Sequence, residues 1–514
     1  MKFYKSLFLL YFIVSAYSLV TAQSSLDVVK IKSGLISGTA SNGIHIFKGI
    51  PFAAPPILDL RWKAPQPVKP WSGTLACTKF GPSPMQNDPK PFRMWSQEFM
   101  APAESLSEDC LYLNVWTSAK SPSDKLPVLV WIYGGAFASG SGACPIYDGE
   151  GIAKEGIVYV TINYRVNVFG FLAHSELTAE SPTKSSGNYG LMDQIAALKW
   201  VNENISAFGG DPNKVTIAGQ SAGSFSVQAL VASPLTKGLF RGAIAQSGAM
   251  TGRPSVALAD AEQTGKKLSD KINAKSISAL RALSADSILK LANTLPFGSF
   301  FPIIDGYVLP TDVRKIFETG KHNDIAIMLG WVMGDADLAM GSPQSAEKFR
   351  EMATATYGEK VDEFNQLFPS ATDDELKRSQ GKLALLRFAG FPDYEWANWN
   401  KHNSFLYQFS YVPTDKPGFP NYGAFHTSEV PFALHSLSKW DRPWKDIDYV
   451  VEKFMTSYWV NFVKSGYPNG NGLPEWKPFD KAQGNIMELG EQPVLKQDIF
   501  KKEFSFMESA QSRK

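Results

Sequence analysis

An α/β fold with a mostly parallel central sheet is what the chain predicts, on three observations. First, strand-like apolar runs recur along it: Leu126–Tyr133, Ile157–Tyr164, Val215–Ala218, Gly242–Gln246, Ile325–Gly330 and Asn403–Phe409. The run L-P-V-L-V-W-I-Y at Leu126–Tyr133 suits a strand buried on both faces. Second, helical patterns alternate with these runs. The clearest, Leu191–Ser206, carries the apolar stripe Leu191, Ile195, Leu198, Val201 and Ile205. Strands alternating with helices imply a parallel sheet with helices on both faces. Third, Val215–Ala218 runs straight into Gly219-Gln220-Ser221-Ala222-Gly223, and small residues then open a helix over Ser224–Ala232. Strand, G-x-S-x-G, helix is the context of a nucleophile elbow, a sharp turn that lifts a serine hydroxyl clear of the backbone. Glycines are required at its ends because side chains there would collide across the turn.

The elements follow in order. Val28–Ile36 and Gly43–Lys48 mix polar and apolar residues around a turn and read as a small N-terminal antiparallel sheet. Pro51–Pro70 is proline-rich and irregular. Leu111–Thr117 is a strand. Leu126–Tyr133 leads directly into Gly134-Gly135-Ala136-Phe137. Val256–Phe297 is helical and is expected to form a cover over a cleft. Tyr449–Lys464 is an amphipathic helix near the end of the domain.

The 514 residues are enough for a large core, and the organisation expected is a leader over residues 1–22 followed by one large domain over 23–514. Lys2 and Lys5 precede an apolar run from Leu7 to Val20, and Val20-Thr21-Ala22 offers small residues for cleavage. This pattern predicts a secretory signal and a secreted or lumenal destination. The run is short for a membrane span and is broken by Ser15 and Ser18, which disfavours an uncleaved anchor. A net charge of +2 with no basic block gives no reason to expect nucleic acid or an anionic membrane as partner. Asn204-Ile205-Ser206 is an N-glycosylation sequon near a helix end, compatible with exposure. The three cysteines leave an odd thiol if two pair, and a buried free thiol is the reading for the one left over.

F-G-G-D-P-N-K-V-T-I-A-G-Q-S-A-G at Phe208–Gly223 resembles the active-serine signature of the type-B carboxylesterase/lipase family, within the α/β-hydrolase fold. Glu108-Asp109-Cys110-Leu111-Tyr112-Leu113-Asn114-Val115 resembles that family's second signature, and matching stretches run from about Val29 to about Phe479. The resemblance implies several structural pairings. Cys77 and Cys110 match a disulfide, which leaves Cys144 over; Arg61 and Glu108 match a salt bridge, and Arg165 and Asp193 a buried ion pair. The family's second disulfide falls near Lys271–Ala282, where this chain has no cysteine, so packing alone is expected to hold that loop.

A serine hydroxyl needs a base, and the base an orienting carboxylate. Six histidines are present, and spacing alone does not choose among them. By resemblance, Gly423-Ala424-Phe425-His426-Thr427-Ser428-Glu429 carries the base, His426, with Glu429 structural. The acid falls between Ser221 and His426, five residues after Gly330, at Asp335, with Asp337 as runner-up. Many family members have glutamate then glycine here, whereas this chain has Asp335-Ala336. Ala222, directly after the serine, is expected to give one oxyanion N–H, and the resemblance implies Gly135 and Ala136 as the other donors. No metal or organic cofactor is required.

Three readings follow. The leading one is a secreted serine carboxylesterase acting on a small-molecule ester. Cholinesterases carry glutamate before the serine and a tryptophan ten residues before the signature cysteine, where this chain has Gln220 and Met100. Pro296 and Gly298 stand at acyl-pocket positions that are aromatic there, and Leu338 and Ala339 replace further aromatics, so a roomier, less aromatic pocket without choline preference is expected. The second reading is a non-enzymatic adhesion or structural relative, favoured only by the unusual Asp335 segment. The third is a lipase with an interfacial lid, for which no feature speaks.

Overall fold

The computed structural model describes residues 26–103, 105–272, 276–339 and 344–511. The expected leader over residues 1–22 lies outside them. An 11-stranded sheet spans the molecule. Its strands in chain order begin with β1 (Thr39–Ser41), β2 (Ile44–Pro51), β3 (Tyr112–Thr117), β4 (Leu126–Ile132) and β5 (Val158–Ile162). They continue with β6 (Gly210–Gln220), β7 (Gly242–Gln246), β8 (Ala326–Val332), β9 (Ser404–Phe409), β10 (Ile486–Leu489) and β11 (Pro493–Lys496). The spatial order is β11-β10-β9-β8-β7-β6-β4-β5-β3-β2-β1. From β5 through β4, β6, β7, β8 and β9 to β10 every neighbouring pair is parallel, and antiparallel strands close both edges. This is the α/β-hydrolase architecture, with helices on both faces of the sheet.

The central strands are buried because both faces are covered. Val128–Ile132 and Val158–Ile162 expose almost nothing. One cover is α1 (Tyr189–Asn204) and another is α2 (Ala222–Ala232), every residue of which is buried. Three helices, α3 (Leu258–Asp270), α4 (Ile277–Arg281) and α5 (Ala285–Ala292), fill the stretch expected to be helical. The Arg61 guanidinium ties this insert down. It grips Glu108 at 2.6 and 2.5 Å and donates to the carbonyls of Arg281 and Leu283 at 2.9 and 2.8 Å. The loop that lacks a family disulfide is thus held by polar contacts as well as packing.

Three expectations are corrected. Gly43–Lys48 is not part of a separate N-terminal sheet. It lies mostly in β2, which pairs antiparallel with β3 at the edge of the main sheet, while Val28–Ile31, Gly34–Ser37 and Thr74–Ala76 form the small sheet. The Cys77–Cys110 disulfide is not formed: Cys77, Cys110 and Cys144 are all free and buried. Burial pushes the Cys77 thiol up to about 12 and Cys110 well above its ordinary range, so neither is a thiolate, the form that exchanges disulfides. Asn204 is not presented to solvent for glycosylation. It is 4% exposed, accepts from Lys32 N at 2.8 Å and donates to Trp200 O at 2.9 Å. The helix ends there, but the backbone of Lys32 packs against the side chain.

Arg165 and Asp193 form a bidentate pair at 2.8 and 2.7 Å, and Asp193 also accepts Arg165 N at 3.0 Å. The pair fastens the end of β5 to α1 with both side chains out of water. Asp193→Asn leaves the guanidinium unpaired in the interior and is expected to cost about 3–5 kcal/mol of stability, measurable by urea unfolding.

Candidate active site

The residues singled out in the sequence sit at the C-terminal ends of the parallel strands. Ser221 follows β6 with φ 57° and ψ −122° and opens α2. The turn closes because glycines flank it: a Cβ on Gly223 would lie 2.1 Å from Ile132 O, and one on Gly219 2.6 Å from the Gly223 carbonyl. Gly134 continues this close approach, since a Cβ there would meet Gln220 O at 2.6 Å. Ala136, Phe137, Ser247 and Thr427 also adopt left-handed φ values. Non-glycine strain of this kind concentrates where neighbouring packing fixes it.

β8 ends in α6 (Asp335–Ala339), whose first residue is buried. Asp335 Oδ2 accepts Val332 N at 3.0 Å, and Oδ1 lies 2.5 Å from His426 Nδ1. Asp337 is exposed and does not take part. A backbone bridge joins the two loops: Gly334 N donates to Ala424 O at 2.7 Å, and Gly334 pairs with Phe425 in parallel register. His426 is 2% exposed. Ser221 is partly exposed, and its hydroxyl makes no hydrogen bond among the described residues. The contact made to His426 from the elbow comes instead from Gln220, whose Nε2 lies 3.1 Å from His426 Nε2. Gly135 and Ala136 are accessible, and the N–H groups of Gly135, Ala136 and Ala222 have no acceptor among the described residues.

The surroundings of His426 hold groups that sequence reasoning missed. The Phe388 ring stands at 72° to the imidazole with centroids 5.7 Å apart, and Trp95 at 88° and 6.4 Å. Trp95 Nε1 donates to Thr427 Oγ1 at 2.5 Å. Phe388 lies on a π-helical turn, Leu386–Gly390, between α7 (Asp373–Leu385) and α8 (Phe391–Trp399). Such turns have no periodic signal, and they recur at functional sites. Phe225 stacks edgewise on both Phe388 and Phe301. Pro296 and Gly298 bring no aromatic ring, while Phe388, Trp95, Phe225 and Phe301 come from other segments. The side chains of Leu338 and Ala339 lie outside the description.

Three further acidic or phenolic groups are buried near Asp335. Glu429 accepts from Gln246 Nε2 at 3.2 Å, and Gln246 is held in turn by Trp459 Nε1 at 3.1 Å. Burial and the charge on Asp335 push the Glu429 carboxyl up to about 8. The same two causes push Asp393, on α8, well above the carboxylate range, and neither of its oxygens has a partner. Tyr407 on β9 is buried with its hydroxyl unpartnered. Asp335 is thus the acid on the imidazole, while burial favours the proton-bearing form of its neighbours.

Between its ordinary value of 4.5 and about 8, Glu429 carries a proton in the folded chain that the unfolded chain has released. Stability on its account falls as pH rises through that window. Glu429→Gln is expected to lessen the loss of stability between pH 5 and pH 8 by on the order of 1–4 kcal/mol in urea titrations. Asp393 leaves a residual slope of the same sign.

Comparison with known proteins adds to this geometry. A family model described as the carboxylesterase family matches residues 25–507. The chain is 35% identical to the fumonisin B1 esterase of Sphingopyxis macrogoltabida, over 90% of this chain and 86% of that protein. It is 34% identical to the para-nitrobenzyl esterase of Bacillus subtilis (strain 168), over 92% and 96%. A solved PNB esterase structure superposes with TM-score 0.81 at 31% identity, covering 94% of this chain and 99% of that one.

Proposed function

The chain belongs to the carboxylesterase family and is a carboxylic ester hydrolase, and from that premise we propose that it works through an acyl-enzyme on Ser221. In this reading His426 is base and acid, and Asp335 fixes its tautomer. The observation that carries it is the 2.5 Å contact between His426 Nδ1 and the buried Asp335, with the elbow meeting the same imidazole through Gln220, one residue before Ser221. With Nδ1 committed to the carboxylate, the second ring nitrogen is the one left for proton transfer.

The steps follow from the groups present. His426 Nε2 takes the Ser221 proton as Oγ attacks the ester carbonyl. The carbonyl oxygen gains charge beside the unused N–H groups of Gly135, Ala136 and Ala222, which stabilise it. The C–O bond breaks and the alcohol leaves with the proton from His426. Water, deprotonated by the same histidine, then attacks the acyl carbon and frees the acid and Ser221. The reading requires Ser221 Oγ to come into hydrogen-bond reach of His426 when substrate binds. Such contacts are commonly loose in an unliganded site.

Substrate class follows from the walls. Phe388, Trp95, Phe225 and Phe301 offer apolar faces, and exposed Phe92 leans on Trp95 at 4.7 Å. No carboxylate precedes the serine to attract a cationic alcohol, since Gln220 stands there. The ester proposed is neutral and carries an apolar acyl or aromatic portion, without choline preference. Residues 1–22 are proposed to be a signal removed during export. N-terminal sequencing of the secreted product should begin at Gln23, and an intact Met1 in the medium would refute this.

Two sets of measurements test the reading. A p-nitrophenyl ester should give a burst, and an organophosphate should label one serine, Ser221. Asp335→Asn should lose on the order of 10⁴ in turnover with the fold intact, while Asp337→Asn stays near the parent. A folded protein that takes no label would refute the acyl-enzyme. Across a series of acyl chains, kcat/KM should rise from acetyl to longer or aromatic groups by about tenfold per 1.4 kcal/mol of added burial. Strict preference for acetyl would contradict the apolar walls.

A further inference from the structure

Gln220, the residue before the serine, is 1% exposed. Its Nε2 lies 3.1 Å from His426 Nε2 and 3.4 Å from His426 Nδ1. The two distances together fix the direction of approach. A donor on the in-plane lone pair of one ring nitrogen would stand much farther from the other, across the width of the ring. A donor in the plane between them would collide with the carbon that joins them. Two short, nearly equal distances leave only the region over the ring face. The amide therefore packs on the imidazole and does not occupy its edge.

The other contacts complete the seat. Asp335 Oδ1 holds the in-plane position at Nδ1 at 2.5 Å. Phe388 and Trp95 stand at steep angles to the ring. Gln220 Oε1 has no hydrogen-bond partner, and it faces the loop of unused donors: a Cβ on Gly134 would lie 3.3 Å from it. The in-plane position at His426 Nε2 is taken by neither Gln220 nor Asp335.

We propose that Gln220 is a positioning residue: its neutral amide seats the face of His426, where a carboxylate would alter the pH dependence of the esterase reaction. This rests on His426 being the base. A carboxylate in the same place would face the imidazolium at close range and favour it, holding the base protonated to higher pH. The groups around the ring make the effect one-sided. Asp335 contacts Nδ1; Glu429 comes from the ring's own segment, Asp393 from α8 and Tyr407 from β9, and all three lie close enough to Asp335 to feel its charge. None of these groups is cationic, so nothing among them would offset a further negative charge.

The test uses the full chain with Gln220→Glu, Gln220→Met and His426→Ala. Gln220→Glu should move the acid limb of the kcat/KM profile upward by about one pH unit or more. Gln220→Met keeps length and neutrality but lacks the amide. It should leave the acid limb in place and lower kcat about tenfold with little change in KM. A Gln220→Glu limb that coincides with the parent's, or a Gln220→Met enzyme with the parent's kcat, overturns the role of Gln220 alone, provided His426→Ala is inactive. An active His426→Ala enzyme overturns the base assignment as well. The two failures are therefore distinguishable.

Discussion

The close approach of β4 and the serine turn is the constraint on which the rest of the structure depends. Ile132 O sits where any side chain on Gly223 would have to go, and Gln220 O sits where one on Gly134 would. The end of β4, the loop that follows it and the elbow after β6 are therefore in backbone contact. That contact requires β4 and β6 to be neighbours, and the register pairs Gly219 with Ile132. It also brings the loop that begins at Gly134 against Gln220 and Ser221. A single added methyl group would part the two segments. The strained φ of Ser221 survives because packing on both sides leaves it no alternative.

A second consequence concerns charge. Parallel strands deliver their C-terminal ends to one edge, and this chain uses that edge to gather Asp335, Glu429, Asp393 and Tyr407 out of water. Four acidic side chains so placed cannot all ionise at neutral pH. The one that keeps two donors, Val332 N and His426 Nδ1, is Asp335. Asp393 and Tyr407 have no hydrogen-bond partner, and for Glu429 the bond from Gln246 is outweighed by burial and the charge on Asp335. The arrangement also ties the stability of the folded chain to pH through Glu429, whose ionisation opposes folding.

Much of this was legible in the sequence because it is local. A strand running into G-x-S-x-G and a helix specifies its own geometry, and β6, Ser221 and α2 fall where the pattern puts them. The Arg165–Asp193 and Arg61–Glu108 pairs followed from resemblance and are formed. What was not legible depends on what packs above a residue. Asn204 lies at a helix end, which resembles an exposed position, yet the remote Lys32 backbone bonds its side chain and it is buried. Phe388 and Trp95 are remote from His426 along the chain, and no period links them to it.

The aspartate at position 335 shows how a departure from a family pattern is absorbed. A shorter carboxylate reaches less far, and here the backbone before Asp335 lies against the segment that carries His426. The Gly334 N–H bonds Ala424 O at 2.7 Å, and Gly334 pairs in register with Phe425, immediately before His426. A Cβ on Gly334 would lie 2.3 Å from Ala424 O, so the two loops approach this closely only because position 334 has no side chain. The acid then sits at the start of α6, anchored through Oδ2 to Val332 N, with Oδ1 directed at the ring. Position 334 without a side chain lets the two loops meet, and the carboxylate at 335 then contacts Nδ1.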